Sequence, residues 1–158
     1  MTLTIREART GDGAAIHAMI EALAISHNER EHFTATPDSY ETALAAPDTV
    51  IGAFIAEWDG VPAGCALWHR SFSTFRGREV IYLEDLSVLP EFRRKGIARE
   101  LVKRVAQLAV ARRAPAVYWL MMPWNDGARK LYTELGAEIE DGLCMCRLHG
   151  EALERLGA

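Results

Sequence analysis

Tyr82-Leu83-Glu84-Asp85-Leu86-Ser87-Val88-Leu89-Pro90-Glu91-Phe92-Arg93-Arg94-Lys95-Gly96-Ile97-Ala98 is the stretch on which the reading of the whole chain turns. Its first half is rich in strand formers interrupted by two adjacent carboxylates, and it predicts a strand from Glu79 to Leu89. Pro90 closes that strand, because proline has no N–H to give to a ladder. The second half is basic and contains one glycine. It leads into Ile97, Leu101, Val105 and Leu108, a stripe widened by Ala98, Val102 and Ala109, with Arg99, Lys103 and Arg104 on the polar side. That pattern predicts an amphipathic helix from Gly96 to about Arg112. A helix start offers N–H groups without intrahelical partners and the positive end of the macrodipole. Three cations there would oppose the dipole, so Arg93-Arg94-Lys95-Gly96 reads better as the seat of a phosphate group than as a bare helix end. It is neither a P-loop, lacking Gly-Lys-Ser/Thr, nor a dinucleotide fingerprint, lacking Gly-x-Gly-x-x-Gly.

Upstream, Leu3, Ile5 and Glu7 alternate with polar neighbours and predict a first strand. Ile16, Met19, Ile20 and Leu23 predict a helix from Asp12 to Ser26, followed by a polar loop through His32. Thr36-Pro37 is a helix start, with threonine as cap and proline at the first helical position, and Pro47-Asp48 ends that helix. Val50–Trp58 and Val61–Phe72 predict a hairpin turned at Asp59-Gly60, and Ser73–Arg78 turns into the strand of the opening stretch. Downstream, Pro115–Met122 predicts a strand. Asn125 caps a helix on which Ala128, Leu131, Tyr132 and Leu135 share a face, and Gly136 suits the left-handed position after its end. Leu143–Leu148 predicts a last strand, followed by a short amphipathic tail.

The chain of 158 residues is expected to form one domain, 1–158, with a core that needs no disulfide or metal. A hydrophobic share of 49% with 25% charged residues is that of a soluble globular protein. The net charge of -4 argues against nucleic acid as a partner. The start lacks a signal-peptide pattern and no apolar run is long enough for a membrane span, so neither export nor a membrane partner is expected. Cys65, Cys144 and Cys146 lack the spacing of a disulfide framework and the partners of a zinc site, so no metal is expected and the compartment reads as a reducing cytoplasm.

Arg93-x-x-Gly96-x-Ala98 resembles the Gln/Arg-x-x-Gly-x-Gly/Ala signature of the GNAT superfamily of N-acetyltransferases. Tyr82–Arg93 is similar to the diamine branch of that superfamily, the spermidine/spermine and thialysine N-acetyltransferases. Further matches are Trp124-Asn125, Leu131-Tyr132-x-x-Leu135-Gly136-Ala137, the turn Ser73–Arg78 and the tail from Gly150 to Leu156. The resemblance implies an α/β (α+β) fold, with a mixed, mostly antiparallel twisted sheet, a parallel pair that splays near Val88 and Met122, and flanking helices. It implies acetyl-CoA as co-substrate, with pantetheine along Leu86, Ser87 and Val88. The diphosphate would sit at the loop and helix start formed by Arg93, Arg94, Lys95, Gly96, Ile97, Ala98 and Arg99, and Asn125 and Ala128 would flank the cofactor's far side. Arg94 departs from the branch, which usually has glycine there. A homodimer through the C-terminal strand is also implied.

Transfer of acetyl to an amine needs a neutral nucleophile, a met oxyanion and a proton for the leaving thiolate. Alkyl ammonium groups titrate near 10.4, as lysine does, so the acceptor needs a base. The resemblance assigns that role to Glu84 and the proton donation to Tyr132, with direct attack by the amine. Neighbours on a regular strand face opposite sides, so only one of Glu84 and Asp85 is expected to enter the cleft. Ser26, His27, Glu84, Asp85, Trp119 and Asp141 are the candidate acceptor contacts. Ser26-His27 stands where the polyamine branch tends to carry an aromatic–acid pair, and Leu143 stands in place of a tryptophan. A short amine or a lysine-like amino acid is therefore as good an acceptor as a polyamine. A protein N-terminus or lysine, an aminoglycoside-like amine, and a non-catalytic acyl-CoA-binding module are the alternatives.

Overall fold

A computed structural model describes residues 1–49 and 51–158. The described residues form two compact units, 1–122 and 123–158. The first carries a five-stranded sheet in the order β1 (Leu3–Glu7), β2 (Ile51–Trp58), β3 (Val61–Ser73), β4 (Arg78–Val88) and β5 (Val117–Tyr118). Strands β1 to β4 pair antiparallel; β4 and β5 pair parallel. The sheet is thus mixed and mostly antiparallel, as expected. Val50, where the sequence reading begins the second strand, lies outside the described residues.

Helices α1 (Gly13–Ser26) and α2 (Pro37–Ala45) cover one sheet face, and α3 (Ile97–Ala111) covers the other. Alternation along the strands sorts the core accordingly. Phe54, Ile81 and Leu83 pack with Ile97, Leu101 and Val105 of α3, while Ile55 and Cys65 pack with Ile16, Met19 and Ile20 of α1. Thr36 caps α2 as its sequence predicts: its hydroxyl accepts from the Ser39 N–H, and the Ser39 hydroxyl accepts from the Thr36 N–H at 3.0 Å. Arg6 ties β1 to the start of α1 through a two-point pair with Asp12 at 2.7 and 2.8 Å. The guanidinium holds the Asp12 carboxyl below its usual range. Within the expected polar loop, Arg30–His32 makes one 3₁₀ turn.

Two strand expectations need correction. The strand expected over Pro115–Met122 is reduced to Val117–Tyr118, paired with Ile81 and Tyr82. The reason lies in β4. Leu67 and Trp68, adjacent on β3, face Asp85 and Leu83, so Glu84 is an extra residue, a β-bulge. A bulge bends its strand and raises the local twist. The ladder with β5 stops at Tyr82, short of the bulge, while β4 runs on to Val88. The parallel pair opens there.

In the second unit, α4 (Asp126–Glu134) and α5 (Gly150–Gly157) are helical. Leu143–Leu148, expected as a last strand, is not in a ladder among the described residues. Its Leu143 and Met145 side chains are exposed. Strand propensity expresses itself only against a partner strand, and this segment has none within the described chain.

Candidate active site

The bulge decides where the two carboxylates point. Ile81 and Leu83 belong to the α3-side core, as do Leu86 and Val88, so the residues between must reach the other face. On a regular strand Glu84 would do so and Asp85 would return to the α3 side. With Glu84 as the extra residue, both face the α1 side. Glu84 Oε2 lies 3.4 Å from Nε2 of His69, whose ring stacks on Tyr82 with centroids 5.0 Å apart. Asp85 feels the charge of Glu84, and its own charge is felt by Tyr40 and Cys65 on that same face. The expectation that only one carboxylate would enter the cleft assumed a regular strand, and the bulge breaks that alternation. Burial, and then the neighbouring Glu84 charge, push the Asp85 carboxyl up to about 6. Burial and the nearby Asp85 charge likewise push the Tyr40 phenol up to about 12.

The loop after β4 prepares the start of α3. Pro90–Phe92 form a 3₁₀ turn, and Arg94 and Gly96 both take left-handed backbone, at φ 63° and 80°. Gly96 is the N-cap and supplies no capping side chain, so the first-turn N–H groups of α3 are met by no such cap. A Cβ at Gly96 would meet nothing within 4 Å. Glycine is thus required by the dihedral, and the space beside the helix start is open to an anion. The side chains divide differently from the sequence expectation. Arg93 donates from Nε to the Val88 carbonyl at 3.1 Å. Lys95 Nζ sits over the Trp58 and Phe92 rings, 4.8 and 5.1 Å from their centres. The conflict between three cations and the helix dipole is relieved in part by these local partners, which leaves backbone N–H groups as the principal anion donors. Ile97 is buried in the core and Ala98 and Arg99 are half-buried, so Ile97 can offer a ligand only its amide.

Of the residues expected along the pantetheine, Leu86 and Val88 are half-buried on the α3-side face. The Ser87 hydroxyl is committed elsewhere, donating to the Met19 carbonyl of α1 at 2.6 Å in a buried position. Ser87 can therefore offer only its backbone. Trp119 packs against the α3-side cluster, the face opposite Glu84 and Asp85. Ser26 donates to the Leu23 carbonyl at 2.8 Å, and half-buried His27 ends α1. In the second unit, the Asn125 side chain accepts from the Ala128 N–H at 3.0 Å and caps α4. Asp141 pairs with Arg129 at 2.9 Å. Tyr132 is the buried residue of α4, and burial pushes its phenol up to about 12.

Sequence reasoning missed His69 and Tyr82 as members of this cluster. The available signal was the hairpin: the Ser73–Arg78 turn sets a register in which His69 stands opposite Tyr82.

The described residues thus make an α/β domain whose sheet is antiparallel except for one short parallel pair, with two carboxylates on one face and a helix start without a side-chain cap. The chain belongs to the Acetyltransferase (GNAT) family, whose profile matches residues 14–137. It is an acetyl-transferring enzyme, and the donor of that family is acetyl-CoA. The chain is 31% identical over 164 residues to the thialysine N-epsilon-acetyltransferase of Bos taurus, across 96% of this chain and 95% of that one. The match lies within the branch to which the Tyr82–Arg93 motif points. Among solved structures, an integron cassette protein from the mobile metagenome of V. cholerae superposes with a TM-score of 0.80 at 20% identity, covering 99% and 98% of the two chains. An aminoglycoside N-acetyltransferase in complex with CoA superposes at 0.73, with 23% identity over 92% and 94%. The two superpositions establish the fold.

Proposed function

We propose that this chain, as one domain, moves an acetyl group from acetyl-CoA to a primary amine of a lysine-like amino acid or a small polyamine, by direct attack of the amine. The observation that carries this reading is the bulge, which sets Glu84 and Asp85 side by side on one sheet face next to the opened β4–β5 pair. Two carboxylates at one spot suit an alkyl ammonium: one holds the cation while the other accepts its proton. Asp85, ionised only above about pH 6, holds the acceptor; the more exposed Glu84 takes the proton, directly or through water. The N–H groups of Arg94 through Ala98 receive the diphosphate, the β4 backbone around Leu86 and Val88 aligns pantetheine, and an N–H near Leu86 meets the developing oxyanion. Asn125 and Ala128 flank the far side of the cofactor. Tyr132, a buried phenol on α4 that is protonated at neutral pH, donates its proton to the departing sulfur. Ser26, His27 and Asp141 complete the acceptor contacts, while Trp119, on the α3-side face, is no longer among them.

The protein acts in the cytoplasm as a homodimer. Its three thiols are all free, as a reducing compartment allows, and no helix among the described residues is long and apolar enough to cross a membrane. Exposed Leu143 and Met145 alternate along an unpaired segment that suits pairing with a second copy. The deciding experiment measures thiol release from acetyl-CoA over a panel of thialysine, lysine, ornithine, polyamines, peptides and aminoglycosides. Release with the short diamino acids or polyamines is expected. Donor binding without release on any amine would instead make the chain a non-catalytic acyl-CoA module.

A further inference from the structure

We propose that His69 is the proton-relay residue of this enzyme, taking from Glu84 the proton that Glu84 removes from the acceptor and passing it to solvent. The inference rests on the reading of Glu84 as base given above, and it concerns a residue that neither the motifs nor the charge pattern singled out.

The geometry sets the direction. His69 Nδ1 lies 3.2 Å from the Arg70 carbonyl oxygen. A carbonyl only accepts, so Nδ1 carries the hydrogen in that contact. In the neutral ring Nε2 then keeps its lone pair, and it is Nε2 that lies 3.4 Å from Glu84 Oε2. Stacking on Tyr82 holds the ring plane. A carboxyl that has just been protonated therefore faces a nitrogen able to accept. The balance is simple: the acceptor ammonium loses its proton to the Glu84 carboxylate, Glu84 loses it to Nε2, and the imidazolium loses it to water or buffer. The ring reaches solvent at 31% side-chain exposure beside Glu84 at 53%, and the relay serves the proton once the bound acceptor covers the carboxylate. The Glu84 carboxylate, restored by the transfer, steadies the imidazolium meanwhile. Asp85 cannot substitute, since it is the more buried of the pair and is assigned to the ammonium.

The test combines substitution with chemical rescue. His69→Ala should lower kcat by roughly tenfold to a hundredfold, below the range for losing a direct general base, while acceptor and donor KM stay within about threefold. Millimolar imidazole in the assay should restore a large part of the loss. His69→Gln keeps a polar side chain but has no basic nitrogen, and it should be as slow as the alanine variant. Circular dichroism and thermal melts of both variants verify folding. In a Glu84→Gln background, His69→Ala should cost nothing further. Full activity of His69→Gln, absence of imidazole rescue in a folded His69→Ala, or additive losses in the double variant would each overturn the relay. If Glu84→Gln itself keeps full kcat, the base assignment has failed. If Glu84→Gln is slow and His69→Ala is not, the relay alone has failed.

Discussion

Asp85 shows how one side chain can set opposing demands on stability and function. Its carboxyl is pushed up to about 6 by burial and by Glu84, above its ordinary value of 3.8. The folded state therefore binds that proton more tightly than the unfolded chain, and the associated stability is present below about pH 4 and lost as pH rises through 6. Asp85→Asn removes the cost of the buried charge. Urea unfolding should show the variant more stable at pH 7 by on the order of 1–3 kcal/mol, with the difference vanishing near pH 4. Acceptor KM should rise in the wild type as pH falls through 6, and should be high and flat in the variant. Tyr132 belongs to the same scale. Tyr132→Phe should lower kcat about a hundredfold with donor affinity, measured by calorimetry, within about twofold. Equal losses in both would remove the proton-donor role. Periodicity alone makes Tyr132 a core aromatic beside Leu131 and Leu135, and its burial agrees with that; only the resemblance favours chemistry.

Among the elements, β4 and α3 do the positioning. The amphipathic stripe of α3 was legible because helical periodicity is local, and Ile97, Leu101 and Val105 are buried as read. Its start was legible as a glycine beside cations, but the partition of those cations was not: Lys95 turns to Trp58, a residue distant in sequence. Gly96 is required at φ 80°, where a Cβ costs roughly 1–2 kcal/mol. Gly96→Ala should therefore lower the thermal midpoint and raise donor KM by tenfold or more, with acceptor KM little changed. An unchanged donor KM would move the diphosphate away from this helix start. The bulge at Glu84 was not legible at all. Glu84 and Asp85 interrupt the strand formers of Tyr82–Val88 without marking either as an extra residue, which is defined only by what Leu67 and Trp68 pair with.

For the molecule as a whole, the unpaired Leu143–Leu148 segment carries the proposal of a dimer. Replacing Leu143 and Met145 together by aspartate should convert a dimer to a monomer in light scattering after size exclusion. A wild-type monomer at assay concentrations would sink the proposal. The order of elements as far as α4 and the signature of the donor site were set by the chain's own patterns, because each depends on residues within one turn, strand or helix, and the fold class followed from the resemblance those motifs carry. Tertiary structure alone decided that β4 carries a bulge, that Glu84 and Asp85 share a face, that His69 stands beside them and that Ser87 is committed to α1. The physical reason is the same in each case. Which way a strand residue points follows from the register against its neighbour strand, and register belongs to the pair. The stretch from Tyr82 to Ala98 thus marked the site, while β3 aimed its carboxylates.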